Sequence, residues 1–161
     1  MADVNEIRDQ LVGNSGRQVT LAFVLAVGSV VRWPVDAFKF EHNADRDDER
    51  IFYWIQGNAI GKLTARGDSD SPAISAIIHP VSEINNVVVL AKRVDQGLGP
   101  GEIRRAITVS FVEQIGTEGS ESESALSITI DAANETNPNA RDQADNLINA
   151  ILDAVAGHNA S

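Results

Sequence analysis

The stretch "EHNADRDDER" carries Glu41, Asp45, Asp47, Asp48 and Glu49 close together, enough carboxylate oxygen to attract a hard cation. Asn43, Asp45 and Asp47 stand at the first, third and fifth positions of a calcium loop. Such a loop also needs glycine at its sixth position for the turn and glutamate at its twelfth for bidentate coordination. The chain has Asp48 and Trp54 there, and the flanks pattern as strands instead of helices. The stretch therefore reads as a solvated acidic loop, with a calcium-binding module through residues 41–49 kept as an alternative.

Other chemistry is sparse. His42, His79 and His158 lie in three separate segments, none with a partner at metal-ligand spacing. No "GxSxG" or "HExxH" occurs, and the absence of cysteine excludes disulfides and thiolate metal sites. "GLGPGE" lacks the lysine and hydroxyl residue of a phosphate-binding loop and joins two strands instead of opening a helix. "RGD" at Arg66–Asp68, "NET" at Asn134–Thr136 and the serine-rich "SESES" carry no context that would give them a role. No catalytic group, cofactor or metal ligand is expected.

The remaining candidate is a cluster of cations. If the strands around Val88 and Val109 form a hairpin through "DQGLGPGE", centring the loop sets Val88 opposite Val109, Leu90 opposite Ile107 and Lys92 opposite Arg105. Val89 then meets Thr108 and Arg93 meets Arg104. Lys92, Arg93, Arg104 and Arg105 would gather at the hairpin base, where facing like charges destabilise unless neutralised. Asp95 and Glu102 could neutralise them internally. Otherwise the four form a candidate patch for an anion or an acidic partner.

The elements that must position these residues follow from periodicity. Val4, Ile7 and Leu11 at helical spacing predict a short N-terminal helix or arm over residues 1–14, docking loosely or serving a partner. "RQVTLAFVLAV" alternates, with Val19, Leu21, Phe23, Leu25 and Val27 on one side, and predicts a strand. "SVVRWPVDAFKF" is expected to continue extended, with an edge or bend at Pro34. "IFYWIQGNAIGKLTAR" predicts a hairpin turning at Gly57–Asn58. "AISAIIH" and "NNVVVLAKRV" follow, separated at Pro80, which lacks an amide hydrogen and holds His79 extended. "RRAITVSFV" and "ALSITID" complete as many as eight extended segments.

The chain closes with a helix. Asn137 suits its N-cap, Pro138 its first position and Gly157 the residue beyond its end. Ala140, Ala144, Leu147, Ile148, Ile151 and Val155 make a wide apolar stripe that needs a sheet or a groove to cover.

Composition frames the rest. A chain of 161 residues suits one domain, here residues 15–161 behind the arm. Thirteen Lys and Arg against 23 Asp and Glu give a net charge of −10, which disfavours nucleic acid and anionic lipid surfaces. No apolar run approaches a membrane span and the N-terminus is too polar for a secretory signal, so a soluble, cytoplasmic chain without stable membrane anchoring is expected.

Strands followed by a single terminal helix form the order of pleckstrin-homology-like domains. Pro80, Val81, Ser82, Ile84 and Val87 resemble a bacterial motif of that group, in which a proline ends one strand and "I-x-x-V" leads into the next. The resemblance spans residues 17–157. It implies an α+β fold: a mainly antiparallel β-sandwich or open barrel of about seven strands, capped by the C-terminal helix, with the chain crossing between sheets at Pro80. Phosphoinositide binding is disfavoured, because the region between the first two strands offers only Arg32, Lys39 and then acids.

These observations favour a non-enzymatic protein-binding or assembly module using a sheet edge such as Val87–Ala91, the helix-side groove or the N-terminal helix. Its partner would be another protein or a second copy. The alternative is a carrier or enzyme with a pocket inside the barrel, for which Tyr53, His79 and Arg105 are the candidate polar groups.

Overall fold

The computed structural model describes residues 4–15, 19–43, 48–67, 71–94, 101–111 and 127–160. Its elements are α1 (Val4–Ser15), α2 (Leu21–Val30), β1 (Ala37–Asn43), β2 (Glu49–Gln56), β3 (Ala59–Arg66), β4 (Ala73–Pro80), β5 (Ile84–Val94), β6 (Glu102–Phe111), β7 (Ser127–Asp131) and α3 (Pro138–Ala160). The strands form two antiparallel sheets, one of order β1-β2-β3-β4 and one of order β5-β6-β7. Among the described residues the fold is α+β, with seven strands, two N-terminal helices and a C-terminal helix.

One expected strand is a helix. Thr20 is the N-cap of α2, and its Oγ1 accepts a hydrogen bond from the Phe23 amide at 3.3 Å, the local competition that makes threonine a helix start. Phe23, Val24, Ala26 and Val27 are buried, whereas Leu21 and Leu25 are 61% and 51% exposed. A strand would have put Leu21, Phe23 and Leu25 on one side; a helix separates them. Residues 31–36 then bend into β1, where the sequence suggested continued extension.

The first sheet is the middle layer. Alternation along β1 and β2 sends Phe40, Phe52 and Trp54 to one face, where they meet Phe23, Val27 and the fully buried Ile7 and Leu11 of α1. Helix α1 is thus part of a packed core instead of docking loosely. The opposite face sends Ile51, Tyr53, Ile55 and Ile60 against Ile107, Val109 and Ile130 of the second sheet and Leu147, Ile148 and Ile151 of α3. Every residue from Glu49 to Ile55 is buried because β2 is covered on both faces.

The predicted hairpin turns at Gly57, whose φ of 57° is the left-handed conformation that glycine tolerates. At Pro80 the chain leaves the first sheet, makes one 3₁₀ turn over Val81–Glu83 and enters the second. Ile84 and Val87 bring it back against the core.

The β5–β6 register differs from expectation by one residue. Val87 faces Val109, Val88 faces Thr108, Val89 faces Ile107, Leu90 faces Ala106, Lys92 faces Arg104 and Arg93 faces Ile103. Centring the loop assumed symmetric strand ends, but Gly101 adopts a φ of 81° just before β6, and Val94 already pairs with Glu102. This register lines Val87 and Val89 up with Ile107, Val109, Ile128 and Ile130 on one side. Val88 and Leu90 consequently face out.

Helix α3 begins as its sequence suggests, with Asn137 Oδ1 accepting from the Asn139 amide at 2.9 Å. It continues through Gly157 to Ala160 instead of stopping before that glycine.

Candidate functional site

The two sheets are closed along one side and open along the other. On the closed side α3 packs chiefly on β1 and touches β7 and β6. There Lys39, only 2% exposed, points inward from β1. Its Nζ lies 2.6 Å from Glu41 Oε1 and 3.9 Å from Glu135 Oε2, and donates to the Asp131 carbonyl at 3.2 Å. One ammonium thereby ties β1 to the β7–α3 connection.

Burial raises the Asp131 carboxyl, but hydrogen bonds from the Asn134 side chain and backbone and the charge of Lys39 outweigh it, leaving its pKa below the ordinary 3.8. At Asp48 the hydrogen bond with His42 and the nearby Arg50 also lower the carboxyl. A carboxyl depressed in the folded state contributes stability that is fully present above its unfolded pKa and is lost as pH falls through the folded value. The urea midpoint is expected to fall between about pH 5 and pH 3, and Asp131→Asn is expected to shrink that fall.

The open side is formed by the edge strands β4 and β5, joined by the 3₁₀ turn. Both display apolar side chains that a free edge normally avoids. On β4, Ile74 and Ile78 are 44% and 50% exposed. On β5, Val88, Val89 and Leu90 are 44%, 42% and 67% exposed, and Ile103 beside them on β6 is 59% exposed. Val89 and Ile103 lie on the face that looks towards the first sheet, so the sandwich is splayed here. An open cleft of about 350 Å³, lined by Lys62, Thr64, Arg66, Ser75 and Ile77, runs along the matching face of β3 and β4.

β5 is the unprotected edge. Among the described residues it pairs with β6 on one side only, and its single irregularity lies at its start, between Ile84 and Asn86. From Val87 to Ala91 it carries no proline and no charge, the devices that ordinarily discourage strand addition. A regular apolar stretch at the edge of a sheet can add a further strand.

The four candidate cations divide between the two faces of the second sheet. The observed register puts Lys92 and Arg104 on the outer face and Arg93 and Arg105 on the inner one. Lys92 Nζ donates to Asn134 Oδ1 at 3.2 Å. Arg104 Nε lies 3.4 Å from Glu102 Oε2, which is also 3.8 Å from Arg141, and Arg105 lies 3.3 Å from Asp145 on α3. Asp95 lies outside the described residues.

Asp45 and Asp47 of the acidic loop also lie outside them. Asn43 donates to Glu49 Oε1 at 3.5 Å, and Asp48 contacts His42 and Arg50. Among the described residues no group of three or more acidic or histidine side chains is arranged to hold a metal ion. The three interior polar candidates are used separately. Burial, with Glu41 and Glu49 adding, raises the Tyr53 phenol far above its ordinary pKa. His79 stacks on Phe111 at 4.1 Å with Nδ1 3.2 Å from Glu83, and Arg105 is engaged by Asp145.

No protein-family model matches the chain, and neither curated proteins nor solved structures give a match. Among the described residues no helix is long and apolar enough to cross a membrane. What the sequence could not indicate was the splaying that leaves Val89 and Ile103 in solvent. Their residue types are those of a core.

Proposed function

We propose that this chain is a non-enzymatic assembly module of pleckstrin-homology-like architecture, and that its β5 edge pairs with the β5 edge of a second copy. The architecture is supported by the order of the parts: a four-stranded antiparallel sheet, a three-stranded one reached through the Pro80 turn, then a terminal helix against both. The non-enzymatic reading is supported by the space between the sheets, filled with Ile51, Ile55, Ile60, Ile107, Val109 and Ile130, all buried.

The assembly reading rests on one observation, the exposed apolar run of β5. Its sequence is self-complementary when two copies pair antiparallel about Val89. Val88 then meets Leu90 of the second copy, Val87 meets Ala91, Asn86 meets Lys92 and Asn85 meets Arg93. Apolar residues cover one another and no like charges oppose, as stable cross-strand pairing requires. The long-range field acts against association, because each copy carries −10. Salt screens that repulsion and leaves apolar burial intact.

Sedimentation velocity over micromolar to millimolar protein is the test. The wild-type chain is expected to form a dimer that strengthens as sodium chloride rises, and Leu90→Lys, at an exposed position, is expected to leave a folded monomer. A wild-type chain that stays monomeric across the range, or a dimer indifferent to Leu90→Lys, would overturn the proposal.

A further inference from the structure

We infer that the outer edge of β4 takes up an extended segment of a partner protein as a fifth strand, and that this segment carries two acidic residues four positions apart among apolar ones. The inference is independent of assembly through β5 and uses none of the same residues.

Among the described residues β4 pairs with β3 alone. From Ala73 to Ile78 it is uncharged and without proline, so its backbone can take another strand. The charges that guard this edge stand one strand in. Alternation from the buried Ile60 puts Lys62, Thr64 and Arg66 on the inner face of β3, opposite Ile77, Ser75 and Ala73 of β4. These six and Ile74 line the cleft of about 350 Å³, and among the described residues no acidic side chain lines it.

Both cations can meet an incoming acid. Lys62 Nζ lies 5.9 Å from the centre of the Tyr53 ring, and among the described residues no carboxylate pairs with it. Arg66 is held by Glu49 through Nε and Nη2, yet its side chain stays 62% exposed. The chain as a whole carries −10. A cleft in it whose charged lining is two cations selects an acidic partner by complementarity.

The spacing decides which kind. Four residues of strand separate Lys62 from Arg66 by about 13 Å, too far for one carboxylate, which sets aside a fatty acid or a lone anion. On an added strand the positions beside Ile77 and Ala73 are also four residues apart and lie on the same face. Each is two strand spacings, about 10 Å, from the Cα of Lys62 or Arg66. A long cationic side chain and a glutamate extended towards each other span that gap. The alternate positions turn to the other face, where Ile74 and Ile78 are exposed and apolar neighbours would cover them. A second copy does not fit, because neither β4 nor Val87–Ala91 of β5 contains an acidic residue.

The test is fluorescence anisotropy of labelled peptides containing VEVTVEV, VKVTVKV or VEVPVEV with the full chain, together with ¹⁵N amide shifts along β4. VEVTVEV is expected to bind saturably, to shift the amides of Ser75, Ala76 and Ile77, and to weaken as sodium chloride rises. Reversing both charges in VKVTVKV, or interrupting the strand in VEVPVEV, is expected to lower the affinity at least about tenfold. Lys62→Gln, at a partly exposed position, is expected to keep the fold by circular dichroism and to weaken VEVTVEV about three- to fivefold. No saturable binding of VEVTVEV, equal affinity for either altered peptide, or indifference to Lys62→Gln would overturn the inference. The β5 dimer is expected to strengthen with salt and to be lost in Leu90→Lys, whereas peptide binding weakens with salt and survives that substitution, so either reading can fail alone.

Discussion

Phe23→Ala is expected to lower the stability of the chain by about 3–5 kcal/mol, and Leu25→Asp, two residues away, by less than about 1 kcal/mol. Phe23 is fully buried, with its ring centroid 5.2 Å from that of Phe40. It carries the contact between α2 and the outer face of the first sheet, so truncation removes buried area and leaves a cavity between layers. Leu25 is half exposed on the far side of the same helix, and an aspartate there reaches water. In a strand the two side chains would share a face, and both substitutions would be severe. Urea titrations followed by circular dichroism measure the pair, and comparable losses for both would mean that α2 does not have this orientation.

The difference between those two residues marks where the sequence stopped being informative. "LAFVLAV" is apolar at every position, so it satisfies a period of 2 and a period of 3.6 equally well. The deciding signal was Thr20, a capping residue just ahead of the run, which weighs little against seven successive apolar residues. What the segment becomes depends on a distant fact: Phe40, Phe52 and Trp54 give the first sheet a second apolar face that must be covered.

Elements with local punctuation were legible for the converse reason. Asn137 and Pro138 start α3 through their own backbone preferences, Gly57 supplies the positive φ its hairpin needs, and Pro80 ends a strand wherever it stands. The β5–β6 register was less legible, because a slip of one residue exchanges two faces that are both largely apolar. The edge status of β5 is a property of sheet order, and the burial of Lys39 a property of β1 meeting α3. Neither is written in any short stretch of sequence.

The second large effect is expected at Lys39. Alternation along β1 puts Ala37, Lys39 and Glu41 on the face that meets the second sheet and α3, and nothing in the sequence distinguishes this lysine from one in solvent. Its ammonium is nonetheless desolvated and held by Glu41, Glu135 and the Asp131 carbonyl. Lys39→Ala removes both the buried aliphatic stem and the positive charge, leaving the Glu41 and Glu135 carboxylates without the cation they share. Loss of one partner from a buried pair costs about 3–5 kcal/mol. Here Glu41 and Glu135 remain 26% and 18% exposed, so water relieves part of the penalty and the lower end, about 3 kcal/mol, is expected.

Lys39→Met separates the two contributions, because it keeps the stem and discards the charge. Lys39→Met is expected to be less damaging than Lys39→Ala, and adding Glu41→Gln to it should recover stability, since the charge left without its partner is then also gone. If Lys39→Met with Glu41→Gln were no more stable than Lys39→Met alone, the ion pair would contribute nothing and packing of the stem would account for the whole loss. The expected recovery would mean that the closed side of the sandwich is held by electrostatics across β1 and the β7–α3 connection, whereas apolar packing joins α2 to the same sheet from its other face.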